Sequence, residues 1–207
     1  CNTMETGSSL TAVLKGTNSK GTGAVKVTAA ASEADAGGFV GHMEANASLT
    51  VAGCSVNQVS SASGNAGGLV GSSTDGILCV DSTEGTVTPF TFADTLTIKA
   101  ASNKAAGGLI GAYSVGNMQA NPISYDLSHY TFHNFTISGG QDVGGLFGLL
   151  KNTNTAASPI SVNLGNNANT SDPVNTVATQ ASALVTNFGG LIGKYQSSVM
   201  ANTLSIK

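Results

Sequence analysis

Five copies of one pentapeptide, Gly-Gly-(Phe/Leu)-(Val/Ile/Phe)-Gly, begin at residues 37, 67, 107, 144 and 189 of a 207-residue chain. This recurrence restricts the fold more than any composition figure, because a short unit must then bury its apolar face against its own copies. Successive starts are 30, 40, 37 and 45 residues apart. A drifting period suits stacked repeats with insertions between them rather than a strictly periodic helical array. The expected fold is all-β: a parallel β-helix, or β-solenoid, of about five repeat turns. A polar N-terminal segment or cap is expected over 1–23 and the β-solenoid repeat region over 24–207.

Between the pentapeptides lie short β-prone runs bounded by Gly, Asn, Ser or Asp, at 48–51, 55–59, 77–80, 86–92, 95–99, 130–137, 160–164 and 204–206. No segment sustains the i, i+3, i+4, i+7 apolar pattern of an ordinary helix. The motif glycines are read as structural. They are Gly37, Gly38 and Gly41; Gly67, Gly68 and Gly71; Gly107, Gly108 and Gly111; Gly144, Gly145 and Gly148; and Gly189, Gly190 and Gly193. Lacking Cβ, they permit either positive φ or a close approach of neighbouring chain. Two residues before each Gly-Gly stand Asp35, Asn65, Ala105, Asp142 and Asn187. Asp and Asn bond amides two residues on and tolerate the left-handed region, so they predict local corners.

If the pentapeptide runs as one strand, Val40, Val70, Ile110, Phe147 and Ile192 form one apolar ladder. Phe39, Leu69, Leu109, Leu146 and Leu191 then form a second on the opposite face. That second ladder needs cover from a loop, an insertion or a partner. The last strand-like run, 204–206, has no evident cap, so the final turn is expected to be covered by further chain or by another subunit, end to end or along the second ladder.

Charged residues are 9% of the chain, the net charge is −3, and all eight basic residues are scattered lysines. Nucleic-acid binding needs clustered cations with Arg forks or stacking aromatics, and is not expected. With 41% hydrophobic residues the chain can build a core, which argues against disorder. No run approaches the ~20 apolar residues of a membrane span.

Candidate chemistry is sparse. His129 and His133 have the i, i+4 spacing of a metal pair on a helix, but their context reads as strand, which holds them about 13 Å apart. Glu33 with Asp35 and Asp81 with Glu84 are the close carboxylate pairs, and both are read as solvated turn residues. No nucleophile elbow or phosphate loop occurs, and no Cys–His–Asn order suggests a thiol hydrolase. Cys54 and Cys79 are expected at equivalent positions on successive turns, as stacked thiols or a disulfide. No catalytic residue, cofactor or metal is expected.

The stretch Ala52-Gly53-Cys54-Ser55-Val56, then Asn65-Ala66-Gly67-Gly68-Leu69-Val70-Gly71, then Asp75-Gly76-Ile77-Leu78-Cys79-Val80 resembles the GLUG repeat. That pattern is a Gly-Gly-Leu-Val-Gly core, a Gly turn, then an apolar residue and Cys opening the next strand. The resemblance covers roughly residues 24–207 through five cores, and only the Gly67 copy carries the Gly turn and Cys together. GLUG repeats occur in large bacterial surface proteins, including adhesins and the non-catalytic regions of some immunoglobulin-A-cleaving proteases. The resemblance implies a β-helical surface stalk and carries over no catalytic residue. The expectation is a non-catalytic extracellular scaffold, stalk or adhesin-like module that self-assembles; the alternative is a carbohydrate-binding or carbohydrate-cleaving β-helix, with Tyr113, Tyr125, Tyr130 and Tyr195 to inspect. Expected partners are further copies of the chain or flanking chain, and host glycans or surface proteins.

Overall fold

The computed structural model describes residues 1–13, 26–30, 34–52, 56–80, 96–116, 123–126, 135–154, 160–163, 177–180, 185–198 and 204–206. The described residues are all-β, without a helix, and their strands form five sheets in which every pairing is parallel. Sheet I stacks six strands in the order Thr3–Met4, Val40–Met43, Val70–Thr74, Ile110–Val115, Phe147–Asn152 and Ile192–Ser197. Sheet II stacks Ala36–Gly37, Ala66–Gly67, Ala105–Gly107, Asp142–Gly144 and Asn187–Gly189. Sheet III stacks Lys26–Ala29, Gln58–Ser61, Thr97–Ala100, Phe135–Gly139 and Val177–Gln180. Sheet IV holds Ser9–Val13, Ser48–Ala52 and Ile77–Val80, and sheet V holds Ile123–Asp126, Ile160–Asn163 and Leu204–Ile206.

From residue 26 onward the chain visits III, II and I in that order, then IV in the first two repeats and V in the last three. Each strand pairs with its counterpart in the adjacent repeat, so the drifting spacing falls in the connectors, notably 81–96 and 164–176. The residues expected as a polar segment or cap supply Thr3–Met4 and Ser9–Val13, the first strands of sheets I and IV.

The pentapeptide is not one strand. In each repeat the chain leaves sheet II after the first glycine, bends through the second glycine and the Phe or Leu, and enters sheet I at the Val, Ile or Phe. A bend between the two ladders removes the two-faced arrangement that period-2 alternation predicted. Both ladders enter one core. Leu69, Leu109 and Leu146 are buried as completely as Val70, Ile110 and Phe147, while Phe39 and Leu191 in the outermost repeats are half-buried. Burying each such side chain contributes about 1.5–3 kcal/mol. The central part of the second ladder thus needs no external cover, which corrects that expectation and removes this surface for lateral joining.

The first and last glycines of the motif explain the bend. A Cβ on Gly37, Gly67 or Gly107 would press closest on Val40 O, Val70 O or Ile110 O of its own motif, and would also lie 2.7 Å from Gly71 N, 2.6 Å from Gly111 N or 2.6 Å from Gly148 N of the next repeat. From the other side, a Cβ on Gly41 would lie 2.8 Å from Asp35 O, and one on Gly111 would lie 2.7 Å from Ala66 O. Sheets I and II therefore meet backbone to backbone along a glycine seam, closer than the ~10 Å of ordinary face-to-face sheets. Among described residues only Gly7 and Gly140 have positive φ among the glycines, so close approach is what the motif positions require.

Candidate functional site

Asp35, Asn65, Ala105, Asp142 and Asn187 fall at the sheet II end of this seam. None has positive φ; among the described residues the non-glycines that do are Asn46 (φ 59°) and Asp75 (φ 51°). The expected local corners are thus elsewhere, and the side chains reach between repeats instead. Asp35 Oδ1 accepts from Asn65 N at 2.6 Å and Asn65 Nδ2 at 3.0 Å. Asn65 Oδ1 in turn accepts from Ala105 N at 2.9 Å, and Asp142 Oδ1 accepts from Asn187 Nδ2 at 2.7 Å. A carboxylate accepting amide N–H bonds makes a charge-assisted contact, stronger than a neutral pair.

The densest polar cluster among the described residues joins Asp35, Ser72 and His42. Ser72 Oγ donates to Asp35 Oδ2, and His42 Nδ1 lies 2.6 Å from the same Oγ. Ser72 is 7% exposed, while Asp35 and His42 are half-buried. His42 and Ser72 meet because they are register partners in sheet I. A hydroxyl has one proton, and here the carboxylate takes it, so the imidazole must donate Nδ1–H to Ser72 Oγ. General-base activation of a serine requires the opposite polarity, with the ring accepting the hydroxyl proton. In this arrangement the bonds of the set staple one repeat to the next.

Other buried polar groups act similarly. Asp75 Oδ1 accepts from Gly116 N at 2.5 Å, and its main-chain oxygen accepts from Asn46 N at 3.0 Å. Tyr113 is 1% exposed and donates to Gly76 O at 2.9 Å, which rules it out as a stacking platform for a sugar. Tyr195 is half-buried against the core. Asn152 Oδ1 accepts from Asn154 N at 3.1 Å, with both residues buried. Ser73 Oγ is buried without a hydrogen-bond partner.

Several sequence candidates lie outside the described residues: His129, His133, Glu33, Asp81, Glu84, Tyr130 and Cys54. Tyr125 lies in the first strand of sheet V, in register with Val162. Cys79 is in register with Thr50, so the position equivalent to it in the preceding repeat belongs to Thr50 and not to Cys54. Among the described residues no three His, Cys, Asp or Glu gather as a metal-holding group. No described helix is long and apolar enough to cross a membrane.

The sequence signalled the Asx positions but not the Ser72 cluster or the buried Ser73. Both depend on which residues of separate repeats share a register position, and the unequal connectors hide that correspondence. No protein-family model, curated protein or solved structure matches the chain.

Proposed function

We propose that the chain is a β-solenoid, each circuit through sheets III, II, I and then IV or V being one coil. On this reading it is a non-catalytic extracellular scaffold, stalk or adhesin-like module of the GLUG kind. The supporting observation is the use to which its polar side chains are put. Asp35, Asn65, Ser72, His42 and Asp142 each bond across to an adjacent repeat, as do Asp75 and the hydroxyl of Tyr113. Buried polar groups satisfied in this way specify register between repeats rather than create reactivity. Parallel ladders with buried side-chain columns suit a long, protease-resistant support.

The carbohydrate-cleaving alternative has one specific point in its favour, the Asp35–Ser72–His42 set. Incubation with a panel of plant, bacterial and animal polysaccharides is expected to yield no shortened or unsaturated products. Turnover that disappears in both Ser72→Ala and Asp35→Asn, with folding retained, would replace the scaffold reading by the enzymatic one.

A further inference from the structure

The turn that carries the chain from sheet I to sheet IV occurs three times among the described residues, and one copy holds a side chain that the fold does not use. Met4, Met43 and Ser73 share a register position at its start, and Ser9, Ser48 and Ile77 share one at its end. Met4 to Ser9 and Met43 to Ser48 are steps of five residues, whereas Ser73 to Ile77 is a step of four. Each copy places one residue at positive φ: Gly7 (φ 74°), Asn46 (φ 59°) and Asp75 (φ 51°). In the shorter turn Asp75 is buried and its carboxylate accepts from Gly116 N. In the longer turns the left-handed residue stands clear. A Cβ on Gly7 meets nothing within 4 Å, and Asn46 is exposed with no described residue bonded to its carboxamide.

The backbone accounts for a residue tolerant of the left-handed region at 46, but not for a carboxamide. Gly7 serves at the equivalent position, and both turns are held by main chain alone: Gly7 N donates to Ala45 O at 3.1 Å and Asn46 N to Asp75 O at 3.0 Å. Nor does the fold ask for the hydroxyl of Ser48, whose place in its column is taken by Ile77 in the next repeat. What these two groups share is their spacing. Asn46-Ala47-Ser48 is an Asn-x-Ser triplet without an intervening Pro, the acceptor pattern for N-linked glycosylation. The triplets at 134–136 and 169–171 begin outside the described residues. At 46 the chain turns the asparagine to solvent while Met43 and Ala47 on either side of it are buried.

We propose that Asn46 is a modification site that carries an N-linked oligosaccharide, attached while the chain is exported. The donor class is an oligosaccharide on a polyprenyl pyrophosphate, and the step needs no other reactant. Asn46 Nδ2 bonds to the anomeric carbon as that carbon's bond to the pyrophosphate oxygen breaks. The lipid pyrophosphate leaves with the electron pair, and Nδ2 gives up one proton to a carboxylate of the transferase. The triplet is read before the strands of sheet IV close over Ser48, which is half-buried in the folded chain, so afterwards only Asn46 has to face solvent. The inference rests on the extracellular reading, because such donors are presented on the outward side of an exporting membrane.

The test exports the full 207-residue chain behind a leader from cells with an oligosaccharyltransferase and its lipid-linked donor, and from cells without the transferase. Mass spectrometry of peptides spanning Asn46 should find a glycan there only when the transferase is present. Asn46→Asp keeps the tolerance of positive φ and Ser48→Ala keeps the strand, so both should fold with unchanged unfolding midpoints and lose the glycan. Ser48→Thr should retain it. Gly7→Asn, placed ahead of Ser8 and Ser9 where a side chain has room, completes a second triplet on the equivalent turn and should add a second glycan. Two kinds of transferase fit the site, one that reads Asn-x-Ser alone and one that also reads a carboxylate two residues ahead, where Glu44 stands. Glu44→Gln, whose amide oxygen can still accept from Thr6, tells them apart by keeping or losing the glycan, and either result leaves Asn46 the acceptor. A bare Asn46 in the exported wild-type chain, or a glycan that persists on Asn46 in Ser48→Ala, would overturn the proposal. Polysaccharide incubations with the same samples keep two failures apart. An inert chain with a bare Asn46 refutes the site alone, and turnover by a chain with its glycan in place refutes the non-catalytic reading alone.

Discussion

Alanine at Gly107 tests whether the seam, rather than backbone freedom, requires the motif glycines. A Cβ at that position would press hardest on Ile110 O of its own motif and sit 2.6 Å from Gly148 N and 2.8 Å from Leu146 O, all main-chain atoms with no rotamer to yield. Restoring ordinary contact needs a separation of about 0.6–0.8 Å from the next repeat, and more than that from Ile110 O within the motif. Leu146 O is also the acceptor for Leu109 N at 2.9 Å and Ile110 N at 3.1 Å, so that movement strains two ladder bonds at once. Two weakened bonds at about 1 kcal/mol each, with about 1–3 kcal/mol of overpacking, outweigh the 0.4–1 kcal/mol that alanine gains through the unfolded chain. The net loss is about 2–4 kcal/mol. Gly190 is the internal control, since a Cβ there meets nothing within 4 Å and its φ is not positive. Urea unfolding can be followed by circular dichroism or by tyrosine emission, which is unobscured because the chain has no Trp. With m near 3 kcal/mol/M, the Gly107→Ala midpoint should drop by about 1 M and that of Gly190→Ala should hold or rise slightly. Equal midpoints for the two variants would refute the steric argument.

Ser73→Ala removes a buried hydroxyl that has no partner, between the register neighbours Met43 and Tyr113, and should raise stability by about 1 kcal/mol; thermal unfolding that shows a clear loss instead would mean that the hydroxyl is bonded in solution. Asp75→Ala should cost about 2–3 kcal/mol by forfeiting both a side-chain acceptor and tolerance of the left-handed region. Asp75→Asn keeps both and should cost less than about 1 kcal/mol, so equal losses in the two denaturation curves would remove φ and the Gly116 bond as the reason for this residue.

The sequence carried part of the strand content: the β-prone runs at 48–51, 77–80, 160–164 and 204–206 lie on strands of sheets IV and V to within a residue, whereas 55–59 and 95–99 sit two or three residues ahead of the sheet III strands, and Lys26–Ala29, Ile123–Asp126 and Val177–Gln180 match no such run. The matched strands are short and mostly bounded by turn-forming residues, so the local signal suffices. It failed at the pentapeptide, where alternation predicted one strand and the chain makes two. The signal for the bend is steric: the carbonyl oxygen three residues on in the same motif, and then main chain of the next repeat, lie where a Cβ would be, and period-2 alternation registers neither. The Asx positions failed differently. Asp35 and Asn65 have the local turn chemistry attributed to them, but the amide of a neighbouring repeat is available and takes the bond. The Asp35–Ser72–His42 set was invisible for the same reason, since its members come from two repeats joined only by register.

That register also indicates where the sequence can vary without loss of fold. The glycine column of sheet II, from Gly37 through Gly67, Gly107 and Gly144 to Gly189, admits no change of residue type, because main chain lies against it in every repeat. The next buried columns change only in size, as in Val40, Val70, Ile110 and Phe147. The column of His42, Ser72, Ala112, Leu149 and Lys194 instead spans aromatic base, hydroxyl, methyl, branched aliphatic and ammonium groups at one backbone position. Such breadth is what a position free of packing constraints tolerates, apart from the Ser72 staple. Charge on this face of sheet I can be changed at little cost to the core.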